Sequence, residues 1–298
     1  MSVLARPQGL PDRVWSLVAG LSALGGRTDR ATFEALINPG FTRDNVFIQT
    51  KTELARDTLG AASSLGLVDY DRNEAALKEG LELASADDLA DYLHDHLSNL
   101  ASGDTNAVMF EAYAWVAAES DRQGDLGWIY DWGRDEFADK ANQALVGEDE
   151  DGHPMNQYKA VAWRRWLHFM GLGVPLPIAG TPDFPSPAAR ISRELARMDL
   201  PSDQEIPAGT FLAGLAERMP YLDGGRLFLQ ACQRMQHNPR PNTLSPLYSA
   251  ALRDLHDNGT LVLRPRGDAS GATKLTEDDS HLIQTFNLVI VPTAGVTE

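Results

Sequence analysis

Leu244-Ser245-Pro246-Leu247-Tyr248-Ser249-Ala250-Ala251-Leu252-Arg253-Asp254-Leu255-His256-Asp257-Asn258-Gly259 opens the stretch, running on to Pro292, whose reading decides the fold. Apolar residues at 247, 248, 251, 252 and 255 recur at intervals of three and four, the spacing of a helix with one buried face. Ser245 offers an N-cap oxygen, Pro246 suits a first helical turn, and Asn258-Gly259 supplies a left-handed exit. The branched run Thr260-Leu261-Val262-Leu263-Arg264 predicts a strand at once. Pro265 to Lys274 is a Gly, Asp and Ser tract without a periodic apolar face, hence a loop, and Leu282 to Val291 predicts a returning strand ended by Pro292. Helix, strand, loop and strand make the second half of a winged helix, a helix-turn-helix relative that meets DNA or protein.

The N-terminal sequence echoes this order. Apolar positions at 14, 17, 18, 21 and 24 predict a helix stopped by Gly25-Gly26, Thr28 to Ile37 a second, and Asp44 to Gly66 a third, before a short strand at Leu67-Val68-Asp69-Tyr70-Asp71. Ser64-Leu65-Gly66-Leu67-Val68 and Asp257-Asn258-Gly259-Thr260-Leu261-Val262 are the same helix, glycine stop and branched strand. The predicted class is therefore mainly α, with winged-helix units at both ends of a helical middle domain. The expected divisions are an N-terminal winged helix at 1–73, an acidic helical domain at 74–172, a linker at 173–187 and a C-terminal winged helix at 188–298. Five prolines between 173 and 187 mark the linker. Helices in the middle domain are read over 87–101 and 106–118, and the paired tryptophans of the segments 125–137 (128 and 132) and 158–172 (163 and 166) suggest helix contacts fastened by large rings.

The formal net charge of −16 speaks against nucleic acid until it is placed along the chain. Residues 74–151 hold 20 acids and 4 bases, while the segments on either side are each balanced, so the whole excess lies in the middle. Between 226 and 274 seven bases face three acids. Arg253 on the helix, Arg264 and Arg266 at the base of the loop, and Lys274 across it are the candidate DNA-binding residues. Asp87, Asp88, Asp91 and Asp95 are the candidate surface for a partner.

Chemistry leaves few marks. The sequence carries no Walker loop, Rossmann glycine pattern, His-Glu-x-x-His pair or nucleophile elbow. His94 and His96 stand two apart on a predicted helix and diverge by about 200° at roughly 3.6 residues per turn, so they do not share an ion. Glu148-Asp149-Glu150-Asp151-Gly152 lacks the alternation of a calcium loop. Asp87 with Asp91, and Asp135 with Asp139, stand four apart but have no clustered base beside them and read as helix solvation. The lone Cys232, in an apolar run, reads as a buried hydrophobe. No catalytic residue, metal or cofactor is assigned. With no apolar run near the roughly 20 residues that span a bilayer and no apolar signal core at the start, the expectation is a cytoplasmic protein away from the membrane.

Ser2-Val3-Leu4 followed by Gly9-Leu10-Pro11, the first helix, and Ala55-Arg56-Asp57-Thr58-Leu59 running to Leu65-Gly66-Leu67-Val68 resemble DpdG-type proteins, accessory components of gene clusters that place 7-deazaguanine bases in DNA and restrict unmodified DNA. The resemblance is best over about the first 70 residues and brings no catalytic residues with it. It implies a part in bacterial defence against phage, beside helicase and nuclease partners, in which an acidic chain with winged helices serves as a non-catalytic, DNA-associated adaptor. Two other classes fit the same elements: a winged-helix accessory subunit of a condensin-like ATPase, and a dimeric transcription regulator on a palindromic site.

Overall fold

The computed structural model describes residues 2–6, 8–37, 42–43, 46–47, 53–146, 154–176, 184–266 and 271–293. The fold is 53 % helix, with twelve α-helices among these residues and only short strands, so helix packing carries the core. The acidic run at 148–151, residues 177–183 of the Pro-rich segment and residues 267–270 of the long C-terminal loop lie outside the described residues. Contacts divide the chain into two units, residues 1–107 with 157–169, and residues 108–156 with 170–298.

In the first unit, α1 (Pro11–Ala23) starts on proline and ends as predicted at Gly25 and Gly26, both with positive φ; Gly26 N donates to Leu21 O. Strand β1 (Arg27–Asp29) runs into α2 (Arg30–Ile37), where the sequence predicted helix alone. Asp29 serves both elements: its register partner is Glu74, and its carboxylate accepts from Thr32 N at 2.9 Å as the cap of α2. The predicted helix over 44–66 is shorter, α3 (Glu53–Ser64), and within the stretch before it β2 (Thr42–Arg43) pairs with β3 (Val46–Phe47). β4 (Val68–Tyr70) and β5 (Glu74–Leu77) follow, giving a three-stranded antiparallel sheet in the order β1-β5-β4 that reaches Leu77. The capped helix α4 (Ala86–Ser98) and the later α8 (Gln157–Phe169) complete the unit. Leu17, Val18, Leu21, Phe33, Leu59, Leu93 and Trp166 are among its buried side chains.

The second unit is built on α5 (Val108–Gln123). Its residues are buried on every side, which marks a central helix rather than an amphipathic one, and α7, α11 and α12 pack against it. The tryptophan-bearing segment 125–137 holds α6 (Trp128–Asp131) and the start of α7 (Arg134–Val146), separated because the chain turns into extended backbone at Trp132. β6 (Gly173–Val174) and β7 (Phe184–Pro185) form a small hairpin inside the segment read as linker. Then come α9 (Ala188–Arg197), β8 (Ile206–Pro207), α10 (Ala208–Arg218), α11 (Arg226–Arg234), α12 (Pro246–Asp257), β9 (Val262–Arg264), β10 (Thr273–Lys274), β11 (Thr285–Phe286) and β12 (Leu288–Ile290). The sheet order is β8-β12-β9, antiparallel throughout. Both units thus show helix, strand, further helices, strand and returning strand, with the last strand in the middle of the sheet.

The long returning strand predicted over 282–291 is divided. β11 pairs with β10 and β12 with β8 and β9, and Asn287 makes the change: its N donates to Arg264 O, its carbonyl accepts from Ala208 N, and its side-chain oxygen accepts from Arg266 N at 3.0 Å. Leu282, predicted in the strand, is fully exposed.

Candidate nucleic-acid interface

The geometry around α12 follows from its caps. Ser245 Oγ accepts from Tyr248 N, Pro246 occupies the first turn, and Gly259 at φ +77° lets Leu261 N return to Leu255 O. Leu247, Tyr248, Ala251, Leu252 and Leu255 form the buried face, as the sequence pattern predicts. The N-terminus is tied to the segment after β10 by side chains: Thr276 N donates to Ser249 Oγ at 2.9 Å and Thr276 Oγ1 to Leu244 O at 2.9 Å. Leu244 N donates to Lys274 O, and Lys274 N to Asn242 O. The strand that carries Lys274 is therefore fixed against the segment leading into the helix.

Three of the four candidate bases face solvent. Arg264 at the end of β9 lies 3.5 Å from Glu205, both about half exposed, an ion pair worth little in water. Arg266 is exposed, with its backbone held by Asn287. Lys274 is exposed on β10. Arg253 differs: it is 4 % exposed, and its guanidinium donates to Thr276 O at 2.7 Å, Gln284 Oε1 at 3.0 Å and Ile283 O at 3.3 Å. Burial holds its pKa below the usual arginine value, opposed by the nearby Asp278 and Asp257 carboxylates. The base on the helix thus pins the connection that carries the other three.

The four candidate acidic residues lie on α4 in the first unit. Asp88 acts within its own helix: its Oδ2 accepts from Ala84 N and Ser85 N while Ser85 Oγ accepts from Asp88 N, a reciprocal capping box. Asp87 is exposed, Asp91 and Asp95 are half-buried, and Asp95 Oδ1 lies 3.5 Å from Nδ1 of the buried His94. His96 stacks on Tyr92 instead.

A model of the DpdG-like family matches residues 1–269. The chain belongs to the DpdG-like family. The match takes in the first unit and the second as far as residue 269, with the whole of α12 and β9, so Arg253, Arg264 and Arg266 fall inside it and Lys274 beyond it. No curated protein and no solved structure matches the chain.

This DpdG-like chain also assembles polar groups that no local pattern in the sequence announces. His237 Nε2 lies 2.6 Å from Oδ2 of the buried Asp121, a pair 116 residues apart, and Asp223 accepts from Ser245 N and Oγ at 2.5 and 2.7 Å. Removal from water pushes the Asp223 carboxyl up to about 6, against the lowering effect of the two Ser245 bonds and with help from the Asp121 charge. The same burial, with Asp121 and Asp223 nearby, pushes the Cys232 thiol up to about 12, which makes it an inert packing group at neutral pH, as its apolar surroundings predict. On α9, Glu194 is fully buried and receives Arg190 at 2.6 Å, Arg197 at 3.0 Å and Arg218 of α10. Among the described residues no helix is long and apolar enough to cross a membrane.

Proposed function

We propose that this protein is a non-catalytic, DNA-associated adaptor of a bacterial system that modifies DNA with 7-deazaguanine bases and restricts unmodified DNA, with a winged-helix unit at each end. Membership of the DpdG-like family supports the setting. The winged-helix reading is supported by the shared order of helices and strands and by the sheets β1-β5-β4 and β8-β12-β9, each with the returning strand between the other two. The observation that carries the DNA reading is the exposure of Arg264, Arg266 and Lys274 on one connection whose backbone is fastened by Asn287, Asn242 and Arg253. Cations on fastened backbone meet phosphates at low entropic cost. Asp87, Asp88, Asp91 and Asp95 serve as the face for a protein partner, the helicase, nuclease or ATPase that supplies the chemistry. Of these, Asp88 contributes through the cap that fixes the start of α4.

The test is binding of the whole chain to a short duplex over a salt series. If the three exposed bases each neutralise a phosphate, Arg264→Ala/Arg266→Ala/Lys274→Ala lowers the slope of log K against log salt by about 2.7, at roughly 0.9 per contact. An unchanged slope sinks the assignment to this connection, and no binding at low salt moves the protein to a partner-only role.

A further inference from the structure

A cavity of about 360 Å³ opens in the second unit among α5, α7 and the end of α11. That volume is within the roughly 300–1,000 Å³ of small-ligand sites. Its apolar wall is Trp132, half-buried, lying at 18° to Trp115 with ring centroids 6.4 Å apart. Trp128, 4.6 Å from Trp132, and Phe137, 5.2 Å from Trp115, hold the two rings from behind. An aromatic face that is fixed on one side and wet on the other is a platform for another flat ring.

The polar side of the cavity is cationic. Arg122, Lys140 and Arg234 line it, with Glu119 as the acid among them. Glu119 holds Arg122 through two bonds of 2.8 and 2.5 Å, which orients the guanidinium and raises its pKa. Arg234 lies 3.9 Å from Glu111. Lys140, exposed on α7, has no carboxylate within 4.0 Å among the described residues. Residues 74–151 contain only four bases against 20 acids, and two of the four, Arg122 and Lys140, line this one cavity. Three bases against the one acid Glu119 make the cavity locally positive inside an acidic region, which favours an anion there.

We propose that this cavity binds a nucleotide, with the base stacked on the Trp132–Trp115 wall and the phosphate held by Lys140, Arg122 and Arg234. The site is separate from the connection between β9 and β12, and it does not depend on that connection touching DNA. The nucleotide is either free or an unpaired unit of a single strand, since both present the same base and phosphate.

The probes are AMP, adenosine, inorganic phosphate and an eight-residue single-stranded DNA, titrated calorimetrically into the Arg264→Ala/Arg266→Ala/Lys274→Ala chain so that those three bases are out of play. The expected result is binding of AMP that weakens at least about fivefold in Trp132→Ala, the low end of what one stacked base contributes. In Lys140→Gln, a change at an exposed helix position that leaves the fold alone, AMP weakens while adenosine does not. A single strand that binds more than about tenfold tighter than AMP identifies nucleic acid as the source, and equal affinity identifies the free nucleotide. Inorganic phosphate that binds as tightly as AMP, or Lys140→Gln without effect on AMP in a folded chain, overturns the proposal. So does absence of binding by AMP and by the single strand at millimolar concentration.

Discussion

Replacing Arg253 by Met removes the fork that holds the long C-terminal connection while keeping the apolar stem. Arg253 makes two short bonds to Thr276 O and Gln284 Oε1, 2.7 and 3.0 Å, and two longer ones of 3.3 Å to Ile283 O. Counting only the short pair, at about 1.5–3 kcal/mol for a bond from a charged group, the gross loss is about 3–6 kcal/mol. Methionine returns part of this, since removing a buried cation also relieves its desolvation, and the net expectation is about 2–4 kcal/mol. Arg253→Lys should be nearly as damaging, because an ammonium cannot reproduce the fork. The assay is urea unfolding of the full chain combined with amide exchange, which reads the local effect. Protection should fall at Leu275, whose N donates to Gln284 O, and at Thr276, whose N donates to Ser249 Oγ. If Arg253→Met stays within about 0.5 kcal/mol of the parent, the range of ordinary surface changes, and both amides keep their protection, the guanidinium is not what pins this connection.

Three further substitutions test the second unit. Glu194→Gln leaves three guanidiniums without their shared buried carboxylate and should cost about 3–5 kcal/mol, read as a fall in thermal midpoint. Asp223 has a folded pKa of about 6 against 3.8 unfolded, so its protonated form favours the fold; that contribution is complete below about pH 4 and is lost as pH rises through 6. The difference amounts to about 3 kcal/mol at roughly 1.4 per unit, and Asp223→Asn should flatten the stability profile over that window. A profile no flatter in Asp223→Asn would put the titration elsewhere. At Gly225 a Cβ would stand 2.5 Å from Pro220 O and 2.6 Å from its carbonyl carbon, so Gly225→Ala must move backbone and should destabilise by about 1–3 kcal/mol in the same unfolding assay.

What the sequence revealed and what it hid divide by distance along the chain. The ends of α12 are legible because Ser245, Pro246 and Gly259 act on neighbours within four residues. The packing of α1 and the central burial of Met109, Phe110 and Trp115 are legible for the same reason: apolar spacing is a local signal. Strand β1 is hidden because Thr28-Asp29-Arg30 is also a good helix start, and only Ala75 and Glu74, more than forty residues on, turn it into a strand. Arg253 reads as one more base on a helix until Thr276, Ile283 and Gln284 arrive with their oxygens. Asp121 with His237, and Arg122 with Trp132 and Arg234 in one cavity, are likewise products of helix packing around α5 that no spacing rule contains.

The two sheets share their order, so what distinguishes the ends is the connection into the last strand. At the N-terminal end β4 and β5 are joined by Asp71-Arg72-Asn73 alone, a tight turn in which the Asp71 carboxylate accepts from Asn73 N and Glu74 N. Those bonds hold the Asp71 carboxyl below its ordinary value, while Asp69 and Glu74 beside the turn pair with Lys78 at 2.7 Å and Arg27 at 3.6 Å. At the C-terminal end the corresponding connection runs from Pro265 to Asn287, long enough to include β10 and β11; it carries Arg266 and Lys274 and follows Arg264 at the end of β9. One sheet order thus closes through a three-residue turn in one unit and through a long connection with its own strand pair in the other. Along the long connection the charge is divided, with Arg264, Arg266 and Lys274 at its start and Glu277, Asp278 and Asp279 after them, so a salt series on the triple variant reads where the bases stand and not a net charge.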